Sequence, residues 1–342
     1  YIDRSENTGI TLGNVGFQIE AQHQFREKYF NSIIGGSAYK FSWNQKNSDH
    51  VRDKTITAMD RENIYVYTNT SLPSNLSITT GLSYDSFTSI VDNNRTQKLN
   101  PKFGLQWDII EFLRLRGAWF ETTKSHLIAQ QSLEPTQIAG FNQFFDDVNG
   151  TRAQRMGIGL DANFSSKIYG GIEVSKRNLH VPLLPVGSDQ EHLQAQNERL
   201  YRAYLYWLPN TYLAIKSEFQ LEKATRHSDD KYLISSTAFD SEPVRIQTLS
   251  IPLSIEYFLP MGFFSNFTAT FVKQNLIRRN DVITQQRRIP TDTYSGIDSF
   301  FLLDANIGYR LPKRKGTLSL EGRNLLNEDF FYRNIGFNQS EA

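Results

Sequence analysis

Residues 155–164, Arg155-Met156-Gly157-Ile158-Gly159-Leu160-Asp161-Ala162-Asn163-Phe164, set an apolar side chain at every even position and Gly, Asp, Asn or Arg at the odd ones. A period of two describes a β-strand with one apolar and one polar face, whereas an amphipathic helix needs apolar residues at i, i+3 and i+4. The alternation repeats on both sides of this stretch. It runs through Val15, Phe17, Ile19, Ala21 and Phe25, then through Leu76, Ile78, Leu82 and Tyr84, and then Phe103, Leu105 and Trp107. It returns in Leu249, Ile251, Leu253, Ile255 and Tyr257. The whole chain reads as antiparallel β.

The composition narrows the class. In 342 residues, 39% are hydrophobic and the mean hydropathy is −0.47. No run approaches the ~18–20 consecutive apolar residues of a spanning helix. Aromatic residues reach 13%, with 24 Phe and 16 Tyr, and cysteine is absent. The lack of cysteine excludes disulfide scaffolds, thiolate metal sites and thiol nucleophiles. Lys plus Arg (37) balance Asp plus Glu (36), so no global field attracts nucleic acid. A chain polar on average, rich in aromatics and free of cysteine suits a membrane barrel, in which apolar residues fill only every second position.

The connections fall into two alternating classes. Short ones lie near Arg26–Tyr29, Leu72–Asn75, Asp108–Glu111, Ser165–Lys167, Pro209–Asn210, Pro260–Gly262 and Pro312–Gly316, with the Pro, Asn, Gly and Ser of hairpin turns. Between them come longer polar stretches at Asn44–Arg61, Thr88–Gln97, Ser125–Arg152, Leu179–Asn197, Thr225–Pro243 and Arg278–Ser295. Short turns on one rim and long loops on the other are the signature of an outer-membrane barrel. Aromatics at the strand ends (Phe41, Trp43, Trp107, Trp119, Phe120, Trp207, Tyr257, Phe258, Phe263, Phe264, Tyr309) read as interfacial girdles. The expectation is an all-β, transmembrane, up-and-down antiparallel barrel. About 14 strands are visible and about 16 belong to the parent barrel, mostly of about 10–14 residues each. Residues 1–342 are taken as one barrel domain in the bacterial outer membrane, a fragment of a longer chain that lacks a periplasmic part and the last strand.

Parity assigns the lumen, because a charge on the lipid face costs about 2–4 kcal/mol at the midplane. Arg114, Arg116, Arg155, Glu173, Arg202, Lys216, Glu218, Glu256, Asp304, Glu321 and Arg323 are expected to point inward, giving a polar lining of both signs. The longest loop, Ser125–Arg152, carries Leu133, Ile138, Phe141, Phe144 and Phe145 beside Asp146 and Asp147. Contiguous exposed apolar patches of that size are costly or functional. The loop is therefore expected to fold inward as a gate or constriction, or else to pack against its neighbours.

Enzymatic chemistry has little to stand on. His23, His50, His126, His180, His192 and His227 are scattered and form no HExxH or HxH, and neither a G-x-S-x-G nor a phosphate loop occurs. Asp146-Asp147 with Asn149 lacks the spacing and terminal Glu of a calcium loop. The chain reads as a non-enzyme with no implied metal or cofactor.

Leu318-Ser319-Leu320-Glu321-Gly322-Arg323-Asn324-Leu325-Leu326-Asn327-Glu328-Asp329-Phe330-Phe331-Tyr332 resembles the penultimate-strand signature of TonB-dependent receptor barrels, an alternating strand ending in an N-L-[FL]-[DN]-x-x-[FY]-[FY] turn. Residues 133–147 are similar to a segment of outer-membrane proteins that fuse periplasmic tetratricopeptide repeats to a C-terminal barrel. The second resemblance implies a pore exporting an exopolysaccharide-like polymer, or porin-type passage, and this is the leading expectation. The first implies a TonB-dependent receptor for a siderophore or other nutrient, with a plug and about 22 strands; a structural or assembly barrel is a third reading. The expected partners are outer-membrane lipid, lipopolysaccharide and a periplasmic domain or protein.

Overall fold

A computed structural model describes residues 10–47, 54–88, 95–124, 132–143, 147–183, 192–226, 243–283 and 288–332. In chain order the strands are β1 (Ile10–Arg26), β2 (Phe30–Asn47), β3 (Lys54–Leu72), β4 (Leu76–Thr88), β5 (Arg95–Ile110) and β6 (Leu113–Thr123). The two-residue strands β7 (Gln137–Ile138) and β8 (Phe141–Asn142) follow, then β9 (Arg152–Ser165), β10 (Ile168–Leu183), β11 (His192–Asn210) and β12 (Leu213–Arg226). The series ends with β13 (Pro243–Phe258), β14 (Phe263–Ile283), β15 (Arg288–Arg310) and β16 (Thr317–Gly322). Fourteen of these form one antiparallel up-and-down sheet in sequence order, with β6 pairing directly to β9. β7 and β8 form a separate hairpin. Among the described residues, the only helical turn is the 3₁₀ turn Pro312–Arg314.

The sheet has the distribution of side chains that a bilayer demands. Ile158, Ile172, Leu205, Phe219, Leu253, Phe267 and Ile307 are all exposed on the outer face. Asn63, Asp85, Asn100, Lys102, Arg155, Arg177 and Gln274 are buried on the other face. A water-soluble sheet would reverse this, whereas a barrel wall puts its apolar band against lipid and its polar side chains inward. The fold is that of a transmembrane β-barrel.

The strands are longer than the sequence pattern suggests. β14 spans 21 residues and β15 spans 23, so most of the polar stretch 278–295 is strand. Ladder hydrogen bonds join backbone groups whatever the side chains are, so pairing continues beyond the apolar band into polar sequence. At the other end, β16 stops at Gly322 rather than running on to Asn327. Asn324 and Asn327 take left-handed backbone (φ 48° and 51°), and the Asn324 side chain accepts from the Glu328 amide (2.9 Å) and donates to the Glu328 carbonyl (2.9 Å). Short polar side chains tolerate that conformation and close a turn locally.

Candidate functional site

Between β6 and β9, the described residues 132–143 turn inward. Their hairpin reverses at Ala139-Gly140, both at positive φ (49° and 84°), as a two-residue turn of the primed type requires. A Cβ at 140 would meet the Arg116 Nη1, the far end of a flexible side chain, at 2.7 Å, so it is the backbone conformation that favours glycine there. The tight turn holds Ile138 and Phe141 opposite each other, and both are buried, at 0% and 1% exposure. They join Tyr65, Tyr67, Ala118, Ala139 and Phe120 in one cluster on the inner face.

Two strand glycines make the seats for this hairpin. A Cβ on Gly104 in β5 would lie 2.8 Å from Ile138, and one on Gly157 in β9 would run into the Phe141 ring. Phe141 sits between two guanidinium groups, with Arg116 5.1 Å and Arg155 5.6 Å from its centroid. Cation–π attraction is worth about 2 kcal/mol or more where water is excluded.

Polar contacts tie the connection to strands on both sides. Gln22 of β1 donates to the Leu133 carbonyl (2.7 Å), and Ser132 donates to Glu20 (2.9 Å). Tyr67 of β3 donates to the Glu134 carboxylate (2.5 Å), and Gln143 donates to the Tyr67 hydroxyl (3.1 Å) and to the Pro135 carbonyl. Arg155 donates to the Asn142 carbonyl (2.8 Å), and Arg177 of β10 pairs with Asp147. The segment thus touches the inner face from β1 to β10. Burial pushes the Glu134 carboxyl above the ordinary carboxylate range. The Lys102 ammonium opposes the rise, Asp85 adds to it, and Tyr67 and Arg61 oppose it.

Beneath and beside the hairpin lies a ladder of paired charges. Arg116 grips Asp161 with two bonds (2.5 and 3.0 Å), and Tyr204 donates to the same carboxylate (2.7 Å). Glu173 stands 3.5 Å from both Arg116 and Arg155. Farther round, Arg202 grips Glu218 (3.1 and 2.9 Å), Tyr206 donates to Glu218 (2.5 Å), and Lys216 pairs with Glu256 (2.7 Å). The hairpin covers the first group and leaves the second more open. Arg116, Arg155 and Glu173 side chains are 7–11% exposed, against 35% for Arg202 and 43% for Lys216.

Four of the residues read as lumen-facing lie outside the covered group. Arg114 is 51% exposed and pairs with Asp108 at the β5–β6 turn, outside the covered group. Asp304 accepts from the Asn324 amide (2.8 Å) and so holds the turn after β16. Arg323 follows the end of β16, and its side chain is 79% exposed with Glu321 2.6 Å away. Glu321 is exposed on the edge strand opposite Asn306. Of the loop residues, Phe141 and Asp147 are anchored as above, whereas Leu133 is 54% exposed. Phe144, Phe145 and Asp146 lie outside the described residues.

Several anchors carry no motif of their own: Glu134, Gln143, Tyr65, Tyr67, Lys102 and Arg177. The inner parity of Tyr65 and Tyr67 was available from the alternation, as were the strand glycines at 104 and 157. Which connection would fill those glycine seats was not.

Against known proteins, a family model described as the β-barrel of TonB-dependent receptor-like proteins matches residues 2–157. No curated protein matches the sequence. Among solved structures, the outer membrane transporter YddB from Escherichia coli is similar over 93% of this chain and 51% of its own, at 11% identity and TM-score 0.59. The FrpB iron transporter from Neisseria meningitidis is similar over 96% and 52%, at 14% identity and TM-score 0.57. The ferric enterobactin receptor of Pseudomonas aeruginosa is similar over 93% and 49%, at 12% identity and TM-score 0.60. The chain therefore spans about half the length of the solved proteins it matches. The resemblance to TonB-dependent receptor barrels holds, and the fold is that of a barrel of the bacterial outer membrane.

Proposed function

We propose that this barrel serves uptake in the manner of a TonB-dependent transporter, with the connection 132–151 as the constriction of its lumen. The observation that carries the constriction is the seating of Ile138 and Phe141 against Gly104 and Gly157. The family match over residues 2–157 supports uptake over the exporting or porin-type pore that the sequence alone favoured. The relatives described as an iron transporter and a ferric enterobactin receptor support a nutrient ligand such as a metal chelate. TonB is the periplasmic partner this reading implies. The open ladder of Arg202, Glu218, Lys216 and Glu256 then lines the passage that the hairpin leaves free.

Burying Ile138 and Phe141 stabilises the seated state by about 1.5–3 kcal/mol each. The entropy of ordering the connection offsets part of that gain.

Deleting residues 133–147 and recording single-channel conductance in planar bilayers tests this. The expected result is a clear rise in conductance with the barrel intact. An unchanged conductance would remove the connection from the mechanism. Uptake itself is tested by growth on ferric chelates as the sole iron source with and without TonB; growth independent of TonB would overturn that part.

A further inference from the structure

The floor under the inward hairpin is a shallow tray cut across three strands. Gly104 on β5, Ala118 on β6 and Gly157 on β9 stand side by side in register, so three small residues share one level of the inner wall. The next level toward the long loops holds Lys102, Phe120 and Arg155, again in register. The next level toward the short turns holds Arg116, between Gln106 and Gly159. Cations therefore border a floor without bulk on both sides. Glycine inside a strand weakens it and marks a place that another group approaches closely.

The hairpin fills this tray with a ring, an aliphatic side chain and a carboxylate. Phe141 lies over Gly157, with Arg116 5.1 Å and Arg155 5.6 Å from its centroid, and Ile138 lies over Gly104. Glu134 accepts from the Tyr67 hydroxyl (2.5 Å), and the Lys102 ammonium stands 6.0 Å from the Tyr67 ring centroid. The carboxylates that act on Lys102 are Glu134, Asp85 and Glu121. Asp85 is already engaged by Arg61, Asn63 and Asn100, and Glu121 pairs with Lys98 (3.0 Å). Lifting the hairpin thus takes from buried Lys102 the carboxylate that answers its charge. Arg116 and Arg155 differ, because they keep Asp161 and Glu173 whether or not the hairpin is seated. Their vacated faces suit a ring, and the vacated seat at Lys102 and Tyr67 suits an anion. Lys102 and Gly157 are two strands apart, which sets ring and anion about 10 Å from each other.

We infer that this tray is a binding site on the passage for an elongated aromatic anion, and that the hairpin closes the passage by standing in for that ligand. The inference rests on the reading of residues 132–151 as the constriction, and adds the class of ligand and the way it opens the passage. The ligand's ring stacks between the two guanidinium groups in place of Phe141. Its anionic end takes the Tyr67 hydroxyl and the Lys102 ammonium in place of Glu134. Ligand and hairpin exclude each other, so binding unseats the hairpin by competition.

The test uses the full chain extracted from outer membranes in mild detergent, with 6-phenylhexanoate as the probe, since its extended form spans the same distance. Affinity is measured by isothermal titration calorimetry for the wild type and for the variant lacking residues 133–147. Competition predicts binding to the deletion variant at least ~10-fold tighter, because no hairpin then holds the seat. 6-Cyclohexylhexanoate, equally charged but without a π face, is expected to bind about fivefold or more weakly. 6-Phenylhexan-1-ol, which keeps the ring and lacks the charge, is expected to bind weakly by about the same factor. In the wild-type background, a nitroxide at Gln137→Cys is expected to gain a mobile component as 6-phenylhexanoate is added. Equal affinity of the two proteins, loss of binding on deletion, or equal binding of the ring and its saturated analogue would overturn the site. If the deletion variant does not fold, Phe141→Ala takes its place with a gain in affinity expected, and no gain would be equally decisive. A nitroxide already mobile without the probe would overturn the constriction and this inference with it. An immobile one that the probe leaves unchanged would overturn this inference alone.

Discussion

Phe141 joins most of the site: its ring fills the space over Gly157 and separates Arg116 from Arg155. Truncation to alanine should cost the seated hairpin about 3–5 kcal/mol, the usual range for a buried Phe. A nitroxide attached at a cysteine introduced at the exposed Gln137 reports this, since the chain has no cysteine of its own. The expected spectrum of Phe141→Ala gains a large mobile component, and an unaltered spectrum would show that Phe141 does not hold the hairpin. Glu134 sets a pH dependence. Its carboxyl titrates above the ordinary range because it is buried, so seating stabilises the protonated form. That contribution is complete below the ordinary carboxylate value and is lost as pH rises through the raised value. Lys102 and Arg61 offset part of the loss, and Asp85 adds to it. The mobile fraction of the same label should therefore grow with pH across that window, and Glu134→Gln should flatten the curve.

At the scale of elements, the short connections and the longer ones occupy opposite rims of the sheet. Single cysteines at Ser74, in the turn between β3 and β4, and at Asn210, the last residue of β11, should be shielded from an impermeant maleimide applied to whole cells. A cysteine at residue 229, between β12 and β13, should react. The opposite pattern would invert the barrel in the membrane. Strand identity and turn class were legible in the sequence because a bilayer imposes a strict period of two and a barrel alternates its turns. Strand ends were not legible, since ladder pairing past the membrane needs no apolar signal, as β14 and β15 demonstrate.

For the whole molecule, selectivity should follow the uncovered ladder. Lys216→Glu leaves Glu256 without its partner and adds negative charge to the inner face, so cation over anion permeability should rise severalfold in bilayer recordings. Adding Glu256→Lys to it should restore the wild-type ratio, and no change in either variant would place the passage elsewhere. By itself, the sequence determined that this chain is an antiparallel membrane wall, which face of each strand meets lipid, and which connection carries the excess of apolar residues. Those properties depend on neighbours two residues apart and on the energy of charge in hydrocarbon, and both are local. Only the tertiary structure decided that Ile138 and Phe141 seat on Gly104 and Gly157, and that Glu134 meets Tyr67. Each of these depends on the register between strands distant in sequence, which is set by the pairing of the entire sheet and leaves no periodic trace in any single strand.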